Sequence, residues 1–421
     1  MKFKFYEIAN WFYPVYMLIF FFGMLGIHIT AYLGYPLIAL IVIAGVSLMV
    51  TEKKRSKGRS LMLAWMIYNA ASIVMYAVNG LPIACYIAAL RNYFFPFMFF
   101  FIGNWSKDKD DKFYNIFMIS GVFFLVVGLY LYYVMPSFYL AFLSNAAENV
   151  WYSGGGSSDE ELIWLGHRFT SFSSSSYDTS AISVTMMICA FGYMYRPHKL
   201  KKMWLYALAI IGLIGAILCQ QRVAMASSML VLLVFSLYGS RHKNRGTIVV
   251  STLVVILGIF ALGFAFSDAR LDNISEIINL RFDQMSINEA MGQRTGQIDR
   301  AWGEILTYLI LGKGMGAGGH AATMHGGIGI HDNGYFQLLL EFGVVGMFIF
   351  LALMGSTVVK GIKNFKLYNI ETMIIIYFLL CNIGEDVFSQ SFFITPIFWF
   401  CMGRMWNQSY RQQRLLETAQ L

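Results

Sequence analysis

The chain has 421 residues, of which 58% are hydrophobic and 13% are charged, and its mean hydropathy is +0.59. Because soluble domains average about 25% charged residues, this composition excludes a soluble protein and predicts an all-α polytopic membrane protein. The formal net charge is +8 at pH 7. The distribution of the basic residues along the chain indicates that this charge reflects membrane topology and not nucleic-acid binding.

A membrane-spanning helix requires about 20 mostly apolar residues. Twelve segments approach this length and predict about twelve transmembrane helices in a single integral membrane domain over 1–421. Their approximate bounds are 12–31, 34–50, 61–79, 82–103, 113–135, 179–195, 203–221, 223–239, 247–266, 334–358, 371–386 and 391–406. The first apolar run is too long for a cleavable signal peptide and lacks a small-residue cleavage site, so we expect no such peptide.

Basic residues concentrate on the cytoplasmic side of membrane proteins. If both termini are cytoplasmic, 23 of the 31 basic residues lie in or beside the cytoplasmic segments. These segments are the N-terminus, 51–60, 104–112, 196–202, 240–246, 359–370 and the C-terminus. One span too many or too few would destroy this alternation, so the sequence predicts that both termini are cytoplasmic.

Two long loops, 136–178 and 267–333, then lie on the extracytoplasmic side. The first contains a flexible Ser- and Gly-rich stretch and ends shortly after Arg168. In the second, apolar residues recur at helical spacing among charged residues from Leu271 to Met285, which predicts a short amphipathic helix at the membrane surface. A further short amphipathic helix is predicted across Gln297–Leu311.

The second loop ends with a glycine run at 312–319 and three histidines, His320, His325 and His331. Glycine lets the backbone approach a ligand closely, and histidine transfers protons near neutral pH. We therefore expect the chemistry of this protein in the extracytoplasmic loops, because every cytoplasmic segment is short.

Several other classes of activity have no support. The sequence contains no Walker loop, no HExxH zinc motif and no CxxC pair. Asp108-Lys109-Asp110 resembles a metal-binding DxD motif, but the neighbouring lysines predict a solvated cluster of ion pairs. The five cysteines lie within or at the ends of predicted spans, so no disulfide framework is expected.

Four arginines occupy positions suited to an anionic ligand. Arg168, Arg222 and Arg294 lie on separate extracytoplasmic elements, and Arg91 lies within a predicted span. Guanidinium groups bind phosphate oxygens through paired hydrogen bonds, so this set suits a diphosphate. A loop arginine also pairs with loop acids or lipid headgroups, and an intramembrane arginine also serves structural pairs, so both roles stay open.

Four motifs together resemble the O-antigen polymerase and O-antigen ligase family. They are QQRVAMASSML at 220–230, GQRTGQIDRAWGEI at 292–305, the glycine run at 312–319 and HDNGYFQLLLEFGVVG at 331–346. The resemblance implies a GT-C-like, metal-independent, inverting glycosyltransferase without a cofactor. It also implies a bacterial cytoplasmic (inner) membrane, an active site facing the periplasm, and an undecaprenyl-diphosphate-linked oligosaccharide as donor.

The resemblance also implies roles for individual residues. Arg222 and Arg294 match the family's diphosphate-binding arginines, and His331 matches its general base. Arg91 is a third candidate for binding the diphosphate because of its place within a span.

Four further residues are supporting candidates: Asp332, Arg168, Glu341 and Asp386. Asp332 would orient the ring of His331, and Asp386 resembles an acid found at this place in some family members. Glu341 lies deeper in its span, where a structural hydrogen bond is expected. The glycines of 312–329 would let the loop close over a bulky glycan.

Three alternative functions are open, and the acceptor distinguishes the first two of them. A polymerase would join two lipid-linked repeat units, with a chain-length regulator and a flippase as further partners, and a ligase would transfer the glycan to lipid A core. The length of 136–178 beside 267–333 favours the polymerase. A lipid-linked oligosaccharide flippase is the alternative from another class, but the two halves of the chain show no internal repeat.

Overall fold

The computed structural model describes residues 5–51, 56–106, 111–135, 137–139, 169–173, 175–196, 200–219, 221–239, 299, 301–319, 329–330, 333–390 and 393–419. Within these ranges the regular structure is helical and no residue lies in a strand. The prediction of an all-α protein is therefore confirmed for this part of the chain.

Short connections join many of the consecutive helices, whereas long stretches of chain separate Val134 from Ser176 and Gly239 from Gly334. The first half contains a 3-10 helix Phe5–Trp11, α1 Phe12–Met24, a π-helical turn Thr30–Gly34, α2 Tyr35–Thr51, α3 Lys57–Ala71, α4 Ile73–Asn79, α5 Ile83–Trp105 and α6 Lys112–Val134. The second half contains α7 Ser176–Met194, α8 Lys202–Leu218, α9 Arg222–Gly239, α10 Gly334–Lys363, α11 Phe365–Gly384, α12 Val387–Gln390, α13 Thr395–Trp406 and α14 Gln408–Ala419.

Six helical stretches are long and apolar enough to cross a membrane: Thr30–Thr51, Lys57–Asn79, Ile83–Trp105, Lys112–Val134, Gly334–Lys363 and Phe365–Gly384. Two shorter apolar helices, Lys202–Leu218 and Val223–Leu237, accompany them. These findings define a multi-pass membrane protein and account for six of the twelve predicted spans at full length. The predicted span 247–266 lies outside the described residues.

Three of the other predicted spans are shorter or more polar than expected. Helix α1 has 13 residues because the chain turns at Gly26, which has a φ of 76°. Helix α13 has 12 residues and begins at Thr395 with a proline in its first turn. Helix α7 buries Thr179, Ser180 and Ser183, which lower its hydropathy although it lies deep inside the bundle.

Helices α5 and α13 form the closest helix pair at the centre of the bundle. A Cβ atom added to Gly103 would lie 2.3 Å from the Phe400 carbonyl oxygen, and one added to Gly403 would lie 2.1 Å from the Phe100 carbonyl oxygen. Small residues permit such close contact between helix backbones in membranes. This packing fixes α5, which carries Arg91 and Tyr93, relative to the C-terminal helices.

One end of the bundle contains five buried charged side chains, which we name the charge cluster: Asp111, Arg196, Glu371, Arg404 and Arg414. Arg404 Nη1 lies 2.8 Å from Asp111 Oδ1, and Arg196 Nη2 lies 2.6 Å from Glu371 Oε2. Arg414 forms a further ion pair with Asp111. The guanidinium of Arg404 also stacks on the Tyr410 ring at 4.0 Å.

The charge cluster joins ends of helices that are distant in sequence. Asp111 precedes α6, Arg196 follows α7, and Arg414 lies on α14 near the end of the chain. These residues flank or belong to 104–112, 196–202 and the C-terminus, which the sequence predicts to be cytoplasmic. The three segments therefore lie at the same end of the bundle, as the predicted alternation requires.

Candidate functional site

The opposite end of the bundle, which we name the loop end, contains residues 169–173, 175–176, 218–219, 221–223, 333–334 and 384–387. Direct contacts join these segments. The Phe169 amide donates to the Leu218 carbonyl at 3.2 Å, and Gln221 Nε2 donates to Ser176 Oγ at 3.0 Å. The Gly334 amide donates to the Glu385 carbonyl at 3.3 Å.

Arg222 is the first residue of α9 and therefore lies at the loop end. Its side chain is outside the described part of the structure, but its neighbour Val223 locates the backbone. A Cβ atom added to Gly384 would lie 3.0 Å from Val223 Cγ2, so the start of α9 packs against the end of α11. Arg222 and Asp386 thus belong to adjoining segments.

Arg168 lies outside the described residues, but the chain immediately after it is held by buried hydroxyl groups. The Thr170 amide donates to the Tyr139 hydroxyl at 2.8 Å, and the Ser171 hydroxyl donates to the Phe124 carbonyl at 2.6 Å. The Thr179 hydroxyl donates to the Thr170 carbonyl at 2.5 Å. This network fixes Phe169 beside Leu218.

His331 and Asp332 lie outside the described residues, whereas the residues on both sides of them are held firmly. The Ile330 amide donates to the Gly318 carbonyl at 2.8 Å. Asn333 caps α10, because its Oδ1 accepts from the Tyr335 and Phe336 amides, both at 3.1 Å. This cap fixes the direction in which the chain enters α10.

Asp386 is buried, with 2% of its surface exposed, and follows Glu385, whose carbonyl accepts from Gly334. The Val387 amide donates to Asn382 Oδ1 at 3.2 Å, which stabilises the turn between α11 and α12. A Cβ atom added to Gly334 would lie 2.0 Å from Asn382 Oδ1, so only glycine fits at the start of α10. Asp386 is therefore close to the start of α10.

The loop end thus brings together the chain neighbours of Arg168, Arg222 and His331 with Asp386. Arg294 lies outside the described residues. Tyr139, Thr170 and Thr179 were not identified from the sequence as structural residues of this end. The sequence signal for Thr170 and Thr179 was the density of hydroxyl residues after Arg168.

Arg91 occupies a different position. It lies on α5, its side chain is exposed, and its Nε donates to Asn92 Oδ1 at 3.3 Å. Its charge interacts with the Tyr16 hydroxyl on α1. Helix α5 also packs against α12, the helix that directly follows Asp386.

Glu341 is fully buried one turn after Gln337 on α10. Its Oε2 accepts from the Tyr93 hydroxyl at 2.8 Å. Its Oε1 accepts from Gln337 Nε2 at 2.9 Å and from the Gly318 amide at 3.3 Å. The carboxylate therefore connects α5 and α10 to the glycine run.

Residues 309–319, which we name the glycine segment, enter a break in α10. Gly343 has a φ of 63° and a ψ of −170°, which interrupts the helix. The Lys313 and Gly314 amides donate to the Leu340 and Glu341 carbonyls at 2.8 and 2.9 Å. On the other side of the break, the Val344 amide donates to the Leu309 carbonyl at 2.7 Å.

Side chains from α3 and α4 complete this arrangement. The Tyr68 hydroxyl lies 2.8 Å from the Phe342 carbonyl and 3.0 Å from the Leu311 carbonyl. The Tyr76 hydroxyl donates to the Met315 carbonyl at 2.7 Å. Backbone polar groups at membrane depth require such partners, because no water is available in the hydrocarbon region.

The glycines of this segment serve close packing. Gly312 and Gly316 have φ values of 80° and 86°, which favour glycine. A Cβ atom would lie 2.3 Å from the Glu341 carbonyl oxygen at Gly312 and 2.6 Å from Ala89 Cβ at Gly316. Over 312–319 the structure therefore differs from the expectation of a loop that closes over a glycan.

The helix preceding the glycine segment spans 301–307, within the predicted range Gln297–Leu311. Ile305 packs with Ile330 and Leu340, whereas Trp302 and Leu306 are exposed. This helix is amphipathic: Ile305 faces the protein, and Trp302 is exposed. The predicted surface helix around Leu271–Met285 lies outside the described residues.

Within the described residues, no group of three or more His, Cys, Asp and Glu side chains is arranged to hold a metal ion.

The fold and the loop end define a multi-pass, all-helical membrane protein with a polar region at one end of the bundle. Residues 207–351 of the chain match the family model described as O-antigen ligase. This match supports the predicted resemblance to the O-antigen polymerase/ligase family over a segment that contains Arg222, Arg294, His331 and Glu341. A comparison with curated proteins gave no match.

Proposed function

We propose that the protein is a glycosyltransferase that joins undecaprenyl-diphosphate-linked oligosaccharide repeat units, as an O-antigen polymerase. The observation that carries this proposal is the family match over 207–351, which contains Arg222, Arg294 and His331. The proposed setting is a GT-C-like bundle of about twelve spans in the bacterial inner membrane. Both termini would be cytoplasmic, and the site would face the periplasm.

In the proposed mechanism, polyprenyl diphosphate is the leaving group, so negative charge develops on its oxygens as the glycosidic bond breaks. Arg222 and Arg294 would stabilise that charge without a metal, because guanidinium groups pair with phosphate oxygens. The position of α9 at the loop end supports this role for Arg222. Arg91 lies on α5. We propose that it contacts the diphosphate or the polyprenyl chain attached to the diphosphate.

The acceptor is a sugar hydroxyl, which is a weak nucleophile. His331 would remove its proton during attack, and a general base of this kind contributes about 10²–10⁴-fold to a rate. Asp332 would orient the imidazole. Arg168 and Asp386 are proposed as supporting residues, since adjoining segments at the loop end contain their chain neighbours.

The ligase is the second candidate, because the matching family model is described as O-antigen ligase. In that case the acceptor would be lipid A core, while the donor and the proposed residues stay the same. The two extracytoplasmic loops favour the polymerase, which must accommodate two lipid-linked glycans. A chain-length regulator and a flippase are proposed as partners of the polymerase.

The test uses purified protein and one synthetic polyprenyl-diphosphate oligosaccharide repeat, without lipid A. A product ladder spaced by one repeat unit supports the polymerase. Transfer that requires lipid A core supports the ligase instead. Absence of transfer with both acceptors contradicts the proposed glycosyltransferase, and movement of the donor across vesicle membranes would then indicate the flippase.

The role of His331 has a matched control in the same loop. We expect His331→Ala to lower transfer by about 10²-fold or more, because the base is lost while the arginines remain. His325→Ala, at a loop histidine without an assigned role, should stay close to wild type. Equal activity of His331→Ala and wild type at equal amounts of membrane protein would exclude His331 as the base.

A further inference from the structure

We propose that Glu341 is a positioning residue for His331 and acts through the backbone of Gly318 and Ile330. The inference rests on the proposed function, because that function gives His331 its role as the base. Each group in this connection as far as Ile330 lies in the described residues, and His331 is the next residue in the chain.

The first step is the carboxylate itself. Glu341 follows an apolar run, Leu338–Leu340, and its side chain is 0% exposed. A buried carboxylate within a membrane span is costly, and intramembrane acids generally have a function. The Tyr93 hydroxyl and Gln337 Nε2 stabilise this one at 2.8 and 2.9 Å. These contacts fix the carboxylate and aim its Oε1 at the glycine segment.

The second step is Gly318, which connects Glu341 to Ile330, the residue before His331. Its amide donates to Glu341 Oε1 at 3.3 Å, and its carbonyl accepts from the Ile330 amide at 2.8 Å. The Ile330 side chain is buried against Ala301, Ile305 and Leu340. Ile330 is therefore fixed by its backbone and by its side chain.

The third step is the short chain between two fixed residues. Asn333 is fixed by its cap on α10, and Gly334 is fixed by its hydrogen bond to Glu385. His331 and Asp332 connect Ile330 to Asn333, and consecutive Cα atoms are only about 3.8 Å apart. Ile330 and Asn333 thus fix the two ends of the two-residue connection 331–332.

This connection matters for the proposed reaction. A base must lie within hydrogen-bond reach of the acceptor hydroxyl, and a misplacement of about 1 Å can cost about 10²-fold in rate. Without the Glu341 acceptor, the Gly318 amide loses a partner in a buried position. We expect Gly318 and then Ile330 to shift, and His331 to shift with them.

The experiment compares Glu341→Ala with Glu341→Gln. A glutamine carbonyl oxygen still accepts from Gly318 and Gln337, while its amide group faces the Tyr93 hydroxyl, which can act as an acceptor. We expect Glu341→Gln to retain kcat within about threefold and Glu341→Ala to lose about 10²-fold, with KM for the donor little changed. A glutamine variant as inactive as the alanine variant would overturn the proposal and indicate proton transfer by Glu341 itself.

A double variant separates positioning from general stability. If Glu341 acts through His331, adding Glu341→Ala to His331→Ala should lower kcat by less than about twofold further. The acidic limb of the pH profile, where protonation of His331 removes the base, should also flatten in Glu341→Ala and persist in Glu341→Gln. Additive losses in the double variant, or a wild-type pH profile in Glu341→Ala, would overturn the proposal.

A second measurement does not depend on transfer. Hydrogen exchange at the Gly318 and Ile330 amides should be faster in Glu341→Ala than in wild type, and unchanged in Glu341→Gln. Unchanged exchange in Glu341→Ala would overturn the proposed connection even if activity fell. If wild type shows no transfer, the proposed function fails, while faster exchange in Glu341→Ala would still confirm the contact to Gly318.

Discussion

Gly343 determines the local geometry of α10. Its φ of 63° is a conformation that residues with a Cβ atom rarely adopt. The added atom would also lie 2.4 Å from the Ile310 carbonyl oxygen. The break in α10 and the fit of the glycine segment therefore both require glycine at this position.

We expect Gly343→Ala to lower the free energy of unfolding by about 1–3 kcal/mol or more, because it combines backbone strain with a steric clash. Thermal unfolding in detergent would measure this change. Gly355→Ala is the matched control, since Gly355 lies on the same helix and has open space around its Cα. Equal melting temperatures for the two variants would show that Gly343 is not strained.

Contacts between distant residues were the least predictable part of the candidate site. The sequence indicated a hydrogen-bonded Glu341 within the bundle, but its partner Tyr93 is 248 positions away. Nothing in the local pattern identifies such a pair, because it depends on how α5 packs against α10. Asp111 was missed for a different reason, since the alternating charges beside it indicate a solvated loop.

At the level of elements, α14 is attached to the bundle by the charge cluster. Arg414 pairs with Asp111 at the start of α6 and donates to the Tyr410 hydroxyl at 3.0 Å. The cluster contains three arginines and two acids, and Asp111 pairs with all three arginines, whereas Glu371 pairs with Arg196. Loss of one arginine should therefore be tolerated better than loss of Asp111.

Breaking a buried ion pair typically costs about 3–5 kcal/mol. We expect Arg414→Ala to cost less than this, because Arg404 still pairs with Asp111. Asp111→Asn should reach this range, since it leaves three buried arginines with one acid. Arg411→Ala, at an exposed arginine on the same helix, is the control and should be close to neutral. Denaturation in detergent would measure how much each substitution lowers the free energy of unfolding. A larger loss of this free energy for Arg414→Ala than for Asp111→Asn would contradict this account.

The charge cluster also predicts a dependence of stability on pH. Burial raises the pKa of Asp111, but the charges of Arg404, Arg414 and Arg196 outweigh it and hold the pKa below its ordinary value of 3.8. The stabilisation is therefore complete above the unfolded value and is lost as the pH falls through the lower folded value. The difference in melting temperature between wild type and Asp111→Asn should be constant near neutral pH and shrink below about pH 4. A difference that grows on acidification would contradict the assignment.

At the level of the whole molecule, the sequence predicted the long apolar helices well. Helices α2, α5 and α6 begin and end within a few residues of the predicted spans, because each is predominantly apolar over its whole length. The sequence could not predict the break in α10 or the entry of residues 309–319 into it. That feature depends on partners from α3 and α4, and a glycine-rich segment by itself indicates a loop.

The proposed topology can be tested with thiol labelling, because all five cysteines are buried and should react little. We expect Ser157→Cys, in the predicted loop 136–178, to react with a membrane-impermeant reagent in intact cells. Ser240→Cys, at the predicted cytoplasmic segment 240–246, should react only after the membrane is opened. The reverse pattern would invert the predicted orientation of the whole bundle.

The break in α10 has a consequence for how the protein responds to its membrane. A change in bilayer thickness alters the tilt of the helices that cross it. The part of α10 after Gly343 is about as long as a bilayer-spanning helix needs to be, whereas the part before it is attached laterally to the glycine segment and α5. Glu341 lies in the laterally attached part, and Asn333 caps the start of that part. Their position is therefore set by protein contacts and is separated from the part of α10 that adapts to the thickness of the lipid.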